Sequence, residues 1–392
     1  TPEIHLERIH PLGNTRVQKD GLFNITLNIT CSNNDCGNLT LSVFNLVPKP
    51  NIISVSLDEY ACAVLGNGSA MCWGYNNHGQ LGDNSTVSKN IPVFVSGNYE
   101  FKTISVGYEH TCGVLTNGSA MCWGWGYNGQ LGNGQSYLIS GFESTPVSVS
   151  GNYEFDTISA GWAHTCGLLV NGSVLCWGQN WNGALGDNST NNSNIPVFVS
   201  GNHRFKSIST RSAPHTCGLL LNGTAMCWGA NGWGELGDNS TEYKTIPTFV
   251  SGNHEFETII AGSQHTCGIL TNGSAMCWGY GGYGERGDGN TVWEQKTPIF
   301  VSGNYKFKAI DANWYYTCGV LTNGSAMCWG GNWGQLGINS TEDQLTPAYV
   351  LGNYEFETIS AGDESTCGVL VNGSVMCWGS NNNGELGNGN HS

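Results

Sequence analysis

The segment His110-Thr-Cys-Gly-Val-Leu-Thr-Asn-Gly-Ser-Ala-Met-Cys-Trp-Gly124 recurs almost unchanged along the chain, and this self-similarity constrains the fold more than any other feature. Its cysteines form the series Cys62/Cys72, Cys112/Cys122, Cys166/Cys176, Cys217/Cys227, Cys267/Cys277, Cys318/Cys328 and Cys367/Cys377. Nine residues separate the members of each pair, and the repeat period stays between 49 and 54 residues. A unit that short cannot bury both its faces alone, so neighbouring copies must cover them. The third unit shows strand-forming runs at Ile195–Val199, Phe155–Ser159, His164–Leu169 and Ser173–Trp177, separated by Gly/Asn turns. Which of these runs share one blade is left open by the pattern. Four-stranded units at this period are propeller blades, and seven of them close a ring. The expected fold is all-β: a seven-bladed β-propeller over residues 47–392, with a small N-terminal β segment over residues 1–46.

Cysteine spacing can be set against hairpin geometry. A Thr116-Asn117-Gly118 loop with Gly118 left-handed sets Leu115 opposite Ser119. Val114 then faces Ala120, and Cys112 faces Cys122. Every pair obeys the same rule, so each is expected to be a disulfide within its own hairpin, placing the protein in an oxidising, extracellular or cell-surface setting. Zinc fits poorly, because one hairpin offers two ligands rather than four.

Each second cysteine is followed by Trp-Gly and then a Gly-x-Leu-Gly turn, as in Trp73-Gly-Tyr-Asn-Asn-His-Gly-Gln-Leu-Gly82 and Trp378-Gly-Ser-Asn-Asn-Asn-Gly-Glu-Leu-Gly387. With the upstream Ile-Ser-Ala-Gly-x-x-His segment, this resembles the repeat of the regulator of chromosome condensation family over residues 51–392. The resemblance implies a seven-bladed propeller. Two departures stand out: Arg286 where Leu is usual, and one residue fewer between Trp329 and Gly334. The nuclear member of that family exchanges nucleotide on a small GTPase and touches chromatin; other members are secreted bacterial proteins that bind partner proteins, β-lactamase inhibitors among them. Paired cysteines and sparse basic residues contradict the nuclear setting here, so the fold leaves the function open.

Every hairpin turn reads Asn-Gly-Ser or Asn-Gly-Thr, at Asn67, Asn117, Asn171, Asn222, Asn272, Asn323 and Asn372. A second series, Asn84, Asn188, Asn239 and Asn339, is followed by Ser-Thr. These are N-glycosylation sequons on turns. Asn-Gly alone is a favoured hairpin turn, but a turn needs no hydroxyl two residues after Asn.

Residues 1–46 do not fit the repeat. From Leu22 to Cys31 the chain alternates, with Phe23, Ile25, Leu27 and Ile29 on one face and the sequons Asn24 and Asn28 on the other. Leu39, Leu41 and Val43 continue the pattern on a return strand beside a further sequon, Asn38. Register prevents Cys31 and Cys36 from facing each other directly, so they are expected to staple the connecting loop. The run Ile4–Ile9 adds apolar residues without a local partner. Ser42–Leu46 resembles the strand that follows earlier repeats and is missing after the last one, so it is a candidate to complete the seventh blade. The apolar face of this segment needs a cover, supplied either by its own propeller or by another copy of the chain.

Charge is sparse and acidic: 14 basic against 29 acidic residues, with charged residues at 11% against roughly 25% in ordinary domains. No Lys/Arg cluster offers a footprint for nucleic acid, and no long apolar run spans a membrane. His110, His164, His215 and His265 precede first cysteines, where Tyr60, Tyr316 and Ser365 stand elsewhere; they suit a structural polar ring better than a metal site, and no cofactor is implied. Asp83, Asp187 and Asp238 read as turn residues rather than an acid/base pair. The Cys-Trp-Gly tryptophans suit packing between blades, whereas Trp125, Trp181, Trp233 and Trp333 lie in Asn/Gly-rich loops where rings can stack on sugars. With no catalytic constellation, the sequence reads as a non-enzyme: a self-associating subunit of a surface filament or coat, or a module binding carbohydrate or a surface protein.

Overall fold

The computed structural model describes residues 50–55, 60–136, 141–211 and 214–390. The expectations for the N-terminal strands, for Asn24, Asn28 and Asn38, for Cys31 with Cys36, and for Ser42–Leu46 lie outside them. The compact unit that begins at Pro50 is a ring of seven antiparallel sheets. Blade 1 comprises β1 (Pro50–Val55), β2 (Tyr60–Leu65), β3 (Ala70–Gly74) and β4 (Lys89–Phe94), hydrogen-bonded in that order. Blade 2 repeats it with β5 (Phe101–Val106), β6 (His110–Leu115), β7 (Ala120–Trp125) and β8 (Phe142–Ser148). The four runs singled out in the third repeat form one sheet. Among the described residues, blade 7 has three strands and ends at Val375–Gly379.

The central hairpin has the expected register. Val114 pairs with Ala120 and Cys112 with Cys122, while Gly118, at φ +84°, closes the turn by donating to the Leu115 carbonyl. Gly supplies the left-handed conformation that a side chain would strain. All seven cysteine pairs of the ring are disulfides within their own hairpins. They join Cys62 to Cys72, Cys112 to Cys122, Cys166 to Cys176 and Cys217 to Cys227. The remaining three join Cys267 to Cys277, Cys318 to Cys328 and Cys367 to Cys377.

The structure adds a second role for the later cysteine of the pairs in blades 1 to 6, which hairpin parity did not reveal. Its strand is also bonded to the outermost strand of the blade. Cys72 pairs there with Val93, Cys176 with Val197 and Cys227 with Thr248. Cys277 pairs with Ile299 and Cys328 with Ala348. The register slips immediately beyond each of these cysteines, between Cys72 and Gly74 in blade 1. Flanked by strands on both sides, Cys72, Cys176, Cys227, Cys277 and Cys328 are completely buried. These five are therefore structural staples closed to solvent.

Three bonds knit six of the seven seams between blades. The Trp177 indole N–H donates to the Gln130 carbonyl of the preceding blade, and the Thr165 hydroxyl donates to that same oxygen. His110 Nε2 then lies 2.8 Å from Thr165 Oγ1. Because that hydroxyl proton is already committed to a carbonyl, the imidazole must be the donor, which fixes the Nε2–H tautomer. The Trp–Thr–His set recurs for His164, His215 and His265, and Tyr60 and Tyr316 substitute their hydroxyls for the imidazole. The polar ring expected from these positions is thus a chain of inter-blade hydrogen bonds. The last seam closes between Trp73 Nε1 and the Glu385 carbonyl, at 2.8 Å, with Ala61 and Ser365 in place of the Thr and His. Close approach explains the Leu-Gly turn: a Cβ on Gly82 would stand 2.7 Å from the Trp123 indole nitrogen.

The first strands touch one another in succession and therefore line the axis. Ser54, Ser105, Ser159 and Ser209 each accept a backbone N–H from the next blade's first strand. Asp311 does the same to Ala361, and it also draws in a cation from across the axis. Arg211, at the end of blade 4's first strand, binds Asp311 of blade 6 at 2.6 Å and reaches Ser360 Oγ and the Ala361 carbonyl of blade 7.

Candidate functional site

Strand direction sorts the loops into two sets. The Asn-Gly hairpin turns and the Ser-Gly-Asn connections lie at one end of the ring, the turn end. Connections entering the second strands and those leaving the third strands lie at the other, the loop end.

At the turn end, the seven hairpin asparagines are all exposed. Each folds its own Oδ1 onto the backbone N–H two residues on, as Asn117 does to Ser119 at 3.0 Å. That Asx-type bond leaves the amide nitrogen Nδ2, the atom a glycan would occupy, without a hydrogen bond among the described residues. The sequon hydroxyls have little structural work. Ser173 and Ser274 accept from Arg204 and Lys306, while those of Ser69, Ser119, Thr224, Ser325 and Ser374 make no hydrogen bond among the described residues. Asn84, Asn188, Asn239 and Asn339 lie exposed at the rim of the loop end with φ between 57° and 66°. A left-handed position favours Asn or Gly, and Gly134, Gly289 and Gly389 replace them in blades 2, 5 and 7. Two further sequons with exposed asparagines, Asn191-Asn-Ser193 and Asn390-His-Ser392, escaped the repeat-based reading because they stand out of register with the others.

The loop end carries a cluster of aromatic rings. Trp233, Tyr280, Tyr283, Trp293, Tyr315 and Trp333 form a continuous arc across blades 4 to 6. Trp233 contacts Tyr280 at 5.1 Å and Trp293 at 6.3 Å between ring centroids. Tyr280 meets Tyr283 at 6.4 Å, Tyr283 meets Tyr315 at 5.5 Å, and Tyr315 meets Trp333 at 5.3 Å. Trp293 and Trp333 remain 63% and 53% exposed, far from the condition of core side chains. Of the four tryptophans singled out from sequence, Trp233 and Trp333 thus share one surface. Trp125 is not a loop residue as expected: it ends β7 of blade 2 and packs on His78 of blade 1 at 4.4 Å, and Trp181 stands apart beside a shallow cleft with Trp162 and Pro214. Tyr283 was missed although it stands directly before the turn Gly, as Trp233 and Trp333 do, whereas Tyr280, Trp293 and Tyr315 occupy other repeat positions. The available signal was local: the Tyr280-Gly-Gly-Tyr283 stretch with Trp293 makes blade 5 unlike its neighbours.

Two carboxyls lie under this arc. Glu235 and Glu285 occupy the Gly-x-Leu-Gly turns, and each accepts the backbone N–H two residues before it. Burial pushes both up to about 7. Glu285 Oε1 is buried with no hydrogen-bond partner among the described residues. Arg286, 1% exposed, binds Asp288 and the carbonyls of Gly279 and Val292, which accounts for its presence where other blades have an apolar residue. The four seam histidines are held well below the usual imidazole range by burial, at about 3 to 4. Asp83, Asp187 and Asp238 each cap a turn, accepting from a Ser N–H and from a buried Asn amide. Among the described residues, no group of three His, Cys, Asp or Glu is placed to hold a metal.

Several known proteins are similar to this chain. The ultraviolet-B receptor UVR8 of Arabidopsis thaliana is 26% identical over 209 residues, 52% of this chain and 47% of the receptor. The chain spans under half the length of the relatives it matches. Human WBSCR16 superposes with a TM-score of 0.73 at 18% identity, over 81% of this chain and 85% of that one. The ectodomain of the Physcomitrella patens receptor kinase CR4 superposes at 0.54 with 23% identity, over 84% of this chain and 73% of that one. These likenesses establish the fold alone. The model of the regulator of chromosome condensation (RCC1) repeat matches residues 67–114, 117–168, 171–213, 222–269 and 323–369, more than half of the chain. With its seven blades and their repeated Cys-Trp-Gly seams, the chain belongs to the RCC1 repeat family.

Proposed function

We propose that the chain acts outside the cell as a non-enzymatic, glycosylated propeller whose copies associate into a surface filament or coat. The observation that carries this reading is a belt of large apolar side chains on the outermost strands. Phe94, Phe198, Phe249, Phe300 and Tyr349 recur at one strand position and stay 52–56% exposed, joined by Ile91, Ile195 and Ile246. A periodic apolar rim of this kind suits lateral contact between copies. The N-terminal strands, with their alternating apolar face, are the second proposed contact. The disulfides fit an oxidising compartment, and no helix among the described residues is long and apolar enough to cross a membrane. Electron microscopy of native protein tests the assembly. Ordered polymers that disappear in a Phe94→Ser/Phe198→Ser/Phe249→Ser variant are expected; single rings at high concentration would refute it. Glycopeptide mapping tests the sugars, with occupancy of Asn117, Asn171 and Asn272 as the expected result.

A second reading, an adhesin or inhibitor-like binding module, is favoured by the aromatic arc. Exposed Trp and Tyr rings at one end of a stapled ring suit contact with a carbohydrate or a surface protein.

A further inference from the structure

We propose that the aromatic arc of blades 4 to 6 docks a cationic partner, a polypeptide segment presenting Lys or Arg side chains to its Trp and Tyr rings. This rests on the binding-module reading and is independent of self-association.

The arc is unnecessary for building the ring. The seams on either side of blade 5 are already closed by Trp278 on the Glu235 carbonyl and Trp329 on the Glu285 carbonyl, and both indoles are fully buried. Six further rings gathered above them, two more than half exposed, leave aromatic surface in water with no packing duty. The faces of Trp and Tyr attract ammonium and guanidinium groups, Arg most often.

The surrounding charge selects the sign of the ligand. Glu242, Glu342 and Asp343 are exposed with no ion-pair partner among the described residues, Asp343 acts electrostatically on Glu285, and Asp363 acts on Tyr315. Nearby cations are already taken: Arg286 is buried against Asp288, Lys296 binds Glu294, and Lys244 binds Asp238. A neutral glycan would use the rings and gain nothing from this field, and an acidic glycan would be repelled. Beneath the middle of the arc lies Glu285, whose Oε1 has no donor among the described residues. Blade 5 also replaces the rim sequon of blades 4 and 6 with Asp288-Gly-Asn, so no glycan acceptor stands at the centre of the arc.

The test uses full-length glycosylated protein and a labelled twelve-residue Gly/Ser peptide carrying six arginines, read by fluorescence anisotropy. Binding that weakens with salt is expected. Trp293→Ala/Trp333→Ala should weaken it about tenfold. Glu342→Gln/Asp343→Asn, which keeps the side-chain oxygen that accepts the Asn332 N–H, should weaken it and flatten the salt dependence. Removing turn-end charge with Glu154→Gln/Glu355→Gln should leave it unchanged. The proposal is overturned if the peptide does not bind or the tryptophan variant binds equally well. It is also overturned if turn-end substitutions weaken binding as much, or a citrulline version of the peptide binds as tightly. Capture of neutral oligosaccharides without the peptide would retain the binding-module reading and reject this partner; failure of both would remove both.

Discussion

The two ends of this ring are made from the same seven repeats and have diverged. At the turn end every blade presents the same Asn-Gly turn with the same Oδ1-to-backbone bond, and its Tyr and His rings pack on aromatic rings of their own blade, as Tyr99 on Phe101, His203 on Phe205 and Tyr305 on Phe307 and Tyr349. At the loop end the blades differ: Trp233, Tyr283 and Trp333 occupy loops where blade 3 has Trp181 and blade 7 has Asn382 and Asn383. Repetition persists where backbone geometry dictates the residue, and variation appears where only surface chemistry is at stake. The buried ionisable groups follow the same division, since Glu235, Glu285 and the four seam histidines all lie toward the loop end.

Acid provides the strongest way to test that division. The histidines are held at about 3 to 4 in the fold against an ordinary value of 6.5, so the unfolded chain binds protons that the folded chain refuses. Their contribution is complete above 6.5 and is lost as pH falls below it, by about 2 kcal/mol each at pH 5. Glu235 and Glu285, held at about 7, act oppositely: the folded state keeps protons that the unfolded state releases above 4.5, so they favour folding more as pH falls toward 5. Glu235→Gln/Glu285→Gln removes that compensation, and Gln335 shows that an amide can accept the same turn N–H. The variant should lose about 8 kcal/mol between pH 7 and 5, against about 3–4 kcal/mol for the parent. Denaturant titrations at the two pH values measure this, and parallel profiles would mean that the loop-end carboxyls do not oppose the histidines.

A matched pair of arginines sharpens the contrast. Arg211 crosses the axis to Asp311, whose carboxyl is nearly inaccessible, and burial already pushes that acid upward against the Arg211 charge. Arg211→Ala leaves the carboxylate buried without its cation, a loss of about 3–5 kcal/mol. Arg204, at the turn end, reaches the Ser173 hydroxyl on the surface. Its removal should stay within about 0.5 kcal/mol. Equal costs would erase the distinction.

The disulfides tie the two ends together midway along each blade. Replacing Cys112 and Cys122 by Ala reopens a short loop and should cost about 2–3 kcal/mol. Blades 1 to 6 should respond alike, because their hairpins share register and burial. Blade 7 should respond less, since the strand carrying Cys377 is only half-buried, whereas Cys72, Cys176, Cys227, Cys277 and Cys328 are enclosed. A uniform cost across all seven would show that the lesser burial of Val375–Gly379 is irrelevant.

Legibility in the sequence followed distance along the chain. Cys112 and Cys122 were assignable because hairpin parity fixes which residues face each other ten positions apart. The pairing of Cys122 with Val147 on the outermost strand was not, because the intervening loop has no fixed length from blade to blade. The histidine series was visible, yet its partner was not: each imidazole bonds the Thr preceding the first cysteine of the next repeat, and only the packing of blades reveals that. Arg286 could be recognised as a departure, whereas its compensation by Asp288 and two carbonyls required the fold. Arg211 with Asp311 was unreadable, because both depart from the repeat in different blades and meet only across the axis. The aromatic arc was only half legible: Trp233, Tyr283 and Trp333 share one repeat position before the turn Gly, but Tyr280, Trp293 and Tyr315 come from other positions.

The smallest expected effect isolates what the turn-end hydroxyls are for. Ser119 makes no side-chain hydrogen bond among the described residues, and the turn it follows is held by Gly118 and by the Asn117 Oδ1 bond to its backbone N–H. Ser119→Ala therefore keeps every interaction of the hairpin, and stability of unglycosylated protein should change by less than about 0.5 kcal/mol. The same change deletes the sequon, so in protein from a glycosylating host the expected result is loss of one glycan at Asn117 with the ring unaltered. Ser85, at the loop end, provides the contrast. Its hydroxyl donates to Asp83 at 2.8 Å and helps build a turn into which the buried Asn76 also bonds, while Thr86 carries the sequon hydroxyl for Asn84. Ser85→Ala should destabilise the ring by about 1 kcal/mol while leaving the Asn84 sequon intact. Intact-mass spectrometry and thermal unfolding of the two variants separate the roles. If Ser119→Ala instead destabilised unglycosylated protein as much as Ser85→Ala, the hydroxyl would be a structural part of the turn, and the recurrent Asn-Gly-Ser would lose its argument as a glycan acceptor.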